Sequence, residues 1–287
     1  MDTLPRAVLV TGASSGIGLA TAQLLASQGY RVFAGCRCDR GRCAIEAGAA
    51  PNPTPVWLDV TQPEQVERVI GELRELAPDG LYALVNNAGI GPPAAVELTD
   101  IDELRRIFEV NTLAPLRMIQ SCLPMLRAGG GRVVNISSMN GYISLPMVGA
   151  YSASKFALEA LSDALRIELR PWNIPISLVR PGQVGTAIFD KARLSLAERT
   201  EAIPPELQHG YEKLYRRAAK FNERGAKSAT SPQAVARAVS KALRARRPKL
   251  HYIVGADALG LQLARAALPA RWLDSLIAAI SGAGNGK

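Results

Sequence analysis

Histidine is nearly absent from this chain, with two in 287 residues, and cysteine is sparse at four. Neither His209 nor His251 has a motif partner, so a histidine-based hydrolase triad is not supported. Three of the cysteines crowd one run (Cys36-Arg37-Cys38-Asp39-Arg40-Gly41-Arg42-Cys43), but no fourth ligand at zinc-site spacing follows and no metal is expected. So few thiols fit a reducing compartment. Aromatic residues make up 5% of the chain and do not interleave with basic ones as base-stacking surfaces require, which sets nucleic acid aside. Long apolar runs are missing too. The apolar-rich stretch 258–280 is broken by Arg265, Pro269, Arg271 and Asp274, too often for a spanning helix. Met1–Arg6 is too short for a signal peptide ahead of the first strand, and a cytoplasmic location is expected.

The length suffices for a large α/β domain with a sizeable core, and 48% apolar with 21% charged residues is ordinary for a globular protein. The net charge of +9 is uneven. Residues 1–190 hold 16 Lys/Arg against 18 Asp/Glu, whereas 191–287 hold 18 against 7. The basic excess is scattered through helix-like segments, which fits a solvated helical face. It also leaves room for an anionic ligand or an acidic lipid surface. Within 258–280, two readings stand: a helix packed over the core, or peripheral contact with a membrane, since Trp272 and Leu273 adjoin Arg271.

The first two-thirds of the chain alternate short apolar runs with amphipathic stretches, which predicts βαβ units and a parallel sheet. Strands are expected at Ala7–Val10, Arg31–Gly35, Val56–Leu58, Leu81–Val85, Arg132–Ile136, Ile174–Val179 and Leu250–Val254. Helices are expected at Gly16–Gln28, at Pro63–Leu76 with Thr61 as its cap, as a pair within Leu98–Leu126, at Ser152–Leu169 and at Pro232–Arg246. Ile188–Ala229 lacks strand signal and reads as mobile helix-loop material. The expected organisation is one doubly wound, Rossmann-type domain over 1–257, with a substrate loop at about 188–230. A C-terminal helical extension and flexible tail follow at 258–287.

Thr11-Gly12-Ala13-Ser14-Ser15-Gly16-Ile17-Gly18 directly follows the first strand and opens the first helix. Glycine there lets the backbone turn sharply and approach a pyrophosphate, while the helix N-terminus favours the anion. Ser138 ends a strand-like run, Tyr151 lies 13 residues on, and Lys155 stands one helical turn after Tyr151. A free phenol is too weak an acid to serve as base at neutral pH, and an ammonium on the same helix face favours the phenolate.

This set, with Asn86-Asn87-Ala88-Gly89, Tyr151-Ser152-Ala153-Ser154-Lys155 and Pro181-Gly182, resembles the short-chain dehydrogenase/reductase family over about Ala7 to Thr186. The resemblance implies a doubly wound parallel sheet of about seven strands with helices on both faces. It implies cofactor binding by Gly12, Ser14, Ser15, Gly16, Ile17 and Gly18. Asp59 with Val60 should meet the adenine, Asn87, Ala88 and Gly89 the adenosine side, and Pro181, Gly182, Val184 and Thr186 the nicotinamide. Asn86 fits equally well as a strand-end residue serving local backbone groups.

The family spacing selects Ser138 over Ser137 as the residue that positions the reacting oxygen. Tyr151 is implied as acid/base and Lys155 as the group that orients the nicotinamide ribose. Asn111 matches the asparagine that holds a water in the proton relay. The second strand ends in Cys36-Arg37, where an NAD-specific enzyme carries a carboxylate, so NADP(H) is the expected cofactor. Leu145, Met147 and Ile188, beside Ser138 and Tyr151, are expected to line an apolar substrate pocket.

That pocket suits a steroid- or retinoid-like alcohol or ketone, and the segment Ser152–Glu159 resembles the 17β-hydroxysteroid and retinol dehydrogenase branch. A 3-oxoacyl-thioester reductase and a non-catalytic NADP-binding redox sensor are the alternatives. Phe156, Leu158, Leu161, Leu165 and Leu169 give one helix more apolar positions than an exposed helix needs, so a homodimer or homotetramer is expected.

Overall fold

Ala7–Val10 (β1) is four consecutive apolar residues, all buried, as a strand covered on both faces must be. In the computed structural model, which describes residues 5–47 and 51–281 and not the side chain of Ile188, β1 is central to one parallel sheet. The other strands are β2 (Arg31–Cys36), β3 (Thr54–Trp57), β4 (Ala83–Asn86), β5 (Arg132–Ile136), β6 (Ile176–Pro181) and β7 (His251–Val254). Their order is β3-β2-β1-β4-β5-β6-β7. The chain winds outward from β1 to β3, then returns to β4 on the other side of β1. That reversal splays the connections apart and opens a crevice at the carboxyl ends of β1 and β4.

Helices cover both faces, as right-handed parallel crossovers demand. On one side α1 (Gly16–Ser27), α2 (Asp39–Glu46) and α9 (Pro232–Arg244) bury Leu25, Ile45, Val235 and Leu243 against Val8, Val10 and Val134. On the other, α3 (Pro63–Leu76), α5 (Ala114–Ala128) and α6 (Gly149–Glu168) bring Val69, Leu73, Met118 and Leu126, with Leu165 packed alongside, against Leu9, Leu84 and Val133.

Two smaller apolar clusters lie over the carboxyl end. In one, α10 (Ala256–Ala267) and α11 (Ala270–Ser281) set Ala258, Leu261 and Leu273 on Tyr142, Ile143 and Leu145. In the other, α7 (Ile188–Glu201) and α8 (Gln208–Ser228) set Leu196 and Tyr215 on Ala95 and Met147. Among the described residues no helix is long and apolar enough to cross a membrane.

The sheet follows the hydrophobic pattern closely, and the departures have local causes. Residues 188–228, read as helix-loop material, form two helices joined by a short connection, α7 fixed through Leu196 and α8 through Tyr215 with Leu214 and Ala218 packed alongside. The eight-residue α2 was unforeseen, since its sequence is mostly polar and only Gly41 and Ile45 are buried. Thr61 does not cap α3. Gln62 occupies that position without a side-chain cap bond, while the Thr61 hydroxyl donates to Asp59 Oδ1 at 2.8 Å. The stretch expected as two helices is α4 (Ile101–Phe108), a π-turn at Glu109–Leu113 and α5. α6 starts three residues earlier than expected, at Gly149, which places Tyr151 in its first turn. The tail expected to be flexible lies, from residue 282, outside the described residues.

Candidate active site

The glycine turn is shaped by what a side chain there would strike. Gly12 (φ +65°) and Gly16 (φ +55°) adopt left-handed backbone that L-residues rarely take. A Cβ on Gly12 would lie 2.8 Å from Ala88 Cα, and one on Gly16 would lie 2.9 Å from Thr186 Cγ2. The turns after β1, β4 and β6 therefore converge on one another. Thr11 and Asn87 strap the first two together: Thr11 Oγ1 accepts from Asn87 N at 2.9 Å and Ala88 N at 3.1 Å. Asn87 Nδ2 donates back to Thr11 O at 2.9 Å and Gly12 O at 3.0 Å. Ser15 precedes α1 without a side-chain cap bond, so the helix N-terminus faces the crevice with its amide dipoles free to meet an anion.

The resulting cleft has a volume of about 430 Å³. Gly12, Ser14, Ser15, Gly16, Ile17, Asn87, Ala88, Gly89, Pro181, Gly182, Val184 and Thr186 all line it. At its far end Arg37 meets Asp59 at 3.7 Å, with Val60 beside them. Asp59 also accepts from Thr61 N at 3.0 Å and from its hydroxyl, which, with Arg37, holds the carboxyl below its usual value despite part-burial. Gly18 does not line the cleft. Its missing Cβ would lie 2.3 Å from Gly12 O, so this glycine lets α1 pack against the turn instead. Asn86 is buried and serves local groups, donating to Asn135 Oδ1 at 2.9 Å and Pro115 O at 3.3 Å.

A second cavity of about 210 Å³ opens off the first. Ser138, Tyr151, Gly91, Gly182, Val184 and Ala192 line both. Gly91 lies flat on the phenol ring, since a Cβ there would fall 2.8 Å from Tyr151 Cδ2. Ser138 begins a 3₁₀ turn whose Asn140 N donates to its Oγ at 3.1 Å. The Ser138 hydroxyl and the Tyr151 phenol both face this junction. Lys155 Nζ donates to Ile136 O at 2.9 Å and lies 5.7 Å from the Tyr151 ring centre. The buried Asn111 sits in the π-turn behind this group. Its Oδ1 accepts from Ile90 N at 2.9 Å, while Nδ2 donates to Ile90 O at 2.7 Å and Ser154 Oγ at 3.0 Å.

Residues 6–196 match the model of the short chain dehydrogenase family. The chain belongs to the short-chain dehydrogenase/reductase family. It is 35% identical over 265 residues to a mitochondrial D-beta-hydroxybutyrate dehydrogenase of Rattus norvegicus, covering 86% of this chain and 76% of that one. It is 34% identical over 278 residues to retinol dehydrogenase 16 of Homo sapiens, covering 94% and 87%. A crystal structure of a short chain dehydrogenase/reductase from Burkholderia phymatum in complex with NAD superposes with a TM-score of 0.76 at 25% identity, over 93% of this chain and 94% of that chain. The protein is thus an oxidoreductase of a family that uses nicotinamide cofactors and acts on alcohol groups.

Electrostatics in this dehydrogenase/reductase differ from the simple picture of an ammonium acidifying a phenol. Burial holds the Tyr151 hydroxyl above its ordinary value, with the Ser138 hydroxyl pulling the other way. Lys155 is brought down to about 8 by burial, against an upward pull from Glu159. The lysine points toward the Ile136 carbonyl, and a buried ammonium is itself the disfavoured form.

Several lining residues carry no motif. Ile90 and Pro92 flank the Gly91 backbone. From α7, Lys191 and Ser195 reach the larger cleft, and Phe189 and Leu196 the smaller one. Leu145, Pro146, Met147 and Val148 form the opposite wall, joined by Leu214, Ala218 and Phe221 of α8 and by Ile280 of α11. The side chain of Ile188, expected in this wall, lies outside the described residues. Met147 takes a left-handed backbone (φ +69°), and its carbonyl accepts from Ala94 N at 2.7 Å. The amphipathic spacing of α8 was the available signal, but nothing in it says which cavity the stripe covers.

Folding moves Lys155 from 10.5 down to about 8, so between those values the folded protein binds fewer protons than the unfolded chain, and stability rises with pH across that window. Below it the buried ammonium is a cost. Replacing Lys155 by Met removes this dependence. The stability of Lys155→Met relative to the native protein is expected to fall by roughly 3 kcal/mol at most between about pH 8 and pH 10.5. Urea denaturation at intervals across that range checks it; a difference that does not change with pH would mean the lysine does not titrate there.

Proposed function

We propose that the protein interconverts a hydroxyl and a carbonyl on a bulky, largely apolar substrate, with NADP(H) as cofactor and Tyr151 as acid/base. The observation that carries this is the junction of the two cavities at Ser138 and Tyr151. The larger cleft has the attributes a dinucleotide needs: a glycine turn with no room for a Cβ, a helix N-terminus facing inward, and an arginine at the far end. The smaller one is walled by Leu145, Met147, Phe189, Leu196, Leu214 and Phe221, which suits an apolar ring system or chain better than a sugar. Similarity to a retinol dehydrogenase and to a hydroxybutyrate dehydrogenase supports alcohol oxidation or ketone reduction across substrates of quite different bulk.

A nicotinamide held in the larger cleft would supply or accept the hydride. Ser138 Oγ holds the substrate oxygen by a hydrogen bond, and Tyr151 exchanges the proton at that oxygen. Lys155 would hold the nicotinamide ribose and, with Nζ freed from the Ile136 carbonyl, would bias the phenol to its ionised form. Asn111, fixed in the π-turn by Ile90 and Ser154, would help hold a water that joins Lys155 to solvent. Tyr151→Phe should lower kcat by about 10²–10⁴-fold while leaving the NADPH dissociation constant within a few-fold. The assay is the absorbance of reduced cofactor over a panel of steroids, retinoids, acyl thioesters and simple ketones. Substantial turnover by the variant would remove Tyr151 from this role.

Cofactor preference rests on Arg37. It is largely exposed, tethered to Asp59 at 3.7 Å, and no carboxylate ends β2 to repel a 2′-phosphate. Arg37→Asp should shift the ratio of kcat/KM for NADP(H) over NAD(H) by about tenfold or more toward NAD(H). An unchanged ratio would refute the assignment.

Two surfaces bear on partners. Leu113, Phe156, Ile167 and Trp172, on and beside α5 and α6, are exposed and support the expected self-association. α10 and α11 expose Leu259, Leu263, Trp272 and Ile280 near Arg265 and Arg271, which supports peripheral binding to an anionic membrane. Purified protein should co-sediment with phosphatidylserine-containing vesicles at low salt, and Trp272→Ser should weaken this; no sedimentation would exclude the contact.

A further inference from the structure

One helical turn beyond Lys155, α6 buries a second charge. Glu159 is only 6% exposed. Its Oε1 accepts the Ser137 hydroxyl at 2.5 Å, and Arg180 from β6 donates to it through Nη2 to Oε2 at 2.6 Å and Nε to Oε1 at 3.0 Å. Ser137 is the residue before Ser138, and Arg180 the residue before Pro181-Gly182 in the cleft wall. The turn that follows Ser138 is pressed onto the same pair: a Cβ on Gly141 would lie 2.5 Å from Ser137 Oγ and 2.9 Å from Glu159 Oε1. One carboxylate therefore ties together the catalytic helix, the strand end carrying Ser138 and the strand end leading to the nicotinamide.

We propose that Glu159 is a positioning residue of this active site: its carboxylate keeps Lys155 in the ammonium form that grips the ribose, and through Ser137 and Arg180 it sets Ser138 and Pro181-Gly182 against the cofactor. The proposal deepens the function described above, on whose assignment of Lys155 it rests. The charged and titratable groups facing Glu159 are few. Arg180 is its partner from β6, and His251 Nε2 from β7 lies 3.9 Å from Oε2. His251 is held below its ordinary value by burial and by Arg180, so it is neutral where the cofactor is bound at neutral or alkaline pH. Tyr142, over whose ring the Arg180 guanidinium stacks at 5.1 Å, is pushed up to about 12 and stays protonated. Along α6 lie Lys155 on one side, and Asp163 with Arg166 on the other, acting on His251; Asp257 from α10 acts on Tyr142. Of these, Glu159 is the group whose charge opposes the burial that drives a proton off Lys155.

Glu159→Gln keeps the volume and the acceptor for the Ser137 hydroxyl while removing the charge. It leaves Arg180 buried without a counter-charge, so the paired change Glu159→Gln with Arg180→Gln is made as well, which removes both charges at once. The full-length protein is titrated with NADPH, following its fluorescence, from about pH 6.5 to about pH 10. Native protein is expected to lose affinity as Lys155 deprotonates, with a midpoint near 8. In both Glu159 variants the midpoint should fall by about one pH unit, a shift a purely structural residue would not produce. Lys155→Met should bind weakly with no such inflection. A midpoint unmoved by either Glu159 change, with affinity reduced uniformly at every pH, would overturn the role of Glu159 alone. A Lys155→Met variant that binds like the native protein at every pH would instead overturn the assignment of Lys155.

Discussion

The active site depends on α6 facing the core with a polar stripe. Ser152, Ser154, Lys155, Glu159 and Ser162 are all buried, on one helix, over the carboxyl ends of β5 and β6. Buried polar groups without partners cost about 1–3 kcal/mol each, more if charged, so a helix of this kind needs partners for most of them. Ser154, Lys155, Glu159 and Ser162 have them, while the Ser152 hydroxyl is buried without a hydrogen-bond partner among the described residues. Asn111 meets Ser154, Ile136 O meets Lys155, Ser137 and Arg180 meet Glu159, and Asn135 Nδ2 donates to Ser162 Oγ at 2.9 Å. Asn86 closes the chain by donating to Asn135. Because each pair has one geometry that works, the seam sets the register of α6 on the sheet and hence where Tyr151, one turn before Lys155, emerges into the cleft.

Close packing does the complementary job at the cofactor end. There the chain removes side chains where α6 supplies them. Gly12, Gly16 and Gly18 bring the turns after β1, β4 and β6 within van der Waals contact of Ala88, Asn87 and Thr186. A cleft built from backbone cannot be reshaped by rotamer changes, so its contour is fixed by the sheet itself. The smaller cavity is constructed on the opposite principle. Part of its wall comes from α7 and α8, packed through the small cluster of Leu196, Ile203 and Tyr215, and part from α11, packed through Leu273 on Tyr142, Ile143 and Leu145, rather than through the main core. The Tyr215 hydroxyl accepts from Ala95 N at 3.3 Å, and Tyr211 hydrogen-bonds Glu97, which pins α8 to the loop after β4. The backbone-lined cleft and the helix-walled cavity meet at Ser138 and Tyr151.

This division explains what could be read from the sequence. The strands were legible because fully buried strands appear as continuous runs such as Ala-Val-Leu-Val, and the cradle because its glycines follow one of them directly. Ser138, Tyr151 and Lys155 were legible by spacing, and the two cavities do converge on the first two. Gly18 looked like a cofactor ligand because it belongs to the motif, yet its neighbours are Gly12 O and Asn87, behind the turn. The substrate wall was only half legible. Leu145 and Met147 adjoin the motif residues in sequence, whereas Phe221 and Ile280 arrive from segments whose apolar residues recur at helical spacing without showing what they face. Glu159 and Arg180 were illegible as a pair, since 21 residues separate them and a lone glutamate on a long helix reads as a solvated charge.

The same seam that positions Lys155 also makes it unstable. Burial takes the ammonium out of water, and the Ile136 carbonyl, the face of the Tyr151 ring and the field of Glu159 return part of that cost. Such a group is held in readiness: a ligand that offered hydroxyl oxygens to Nζ would relieve the cost on binding, and under the proposed role of Lys155 part of a cofactor's affinity would be the release of a penalty built in during folding. Without Glu159 the cheaper response would be to lose the proton, and nothing would remain to release. The buried Glu159–Arg180 pair need not stabilise the fold to be worth keeping, since ion pairs of this kind contribute little net stability against an apolar alternative. Its value lies in the charge it places beside Lys155 and in the two strand ends it holds against the same helix.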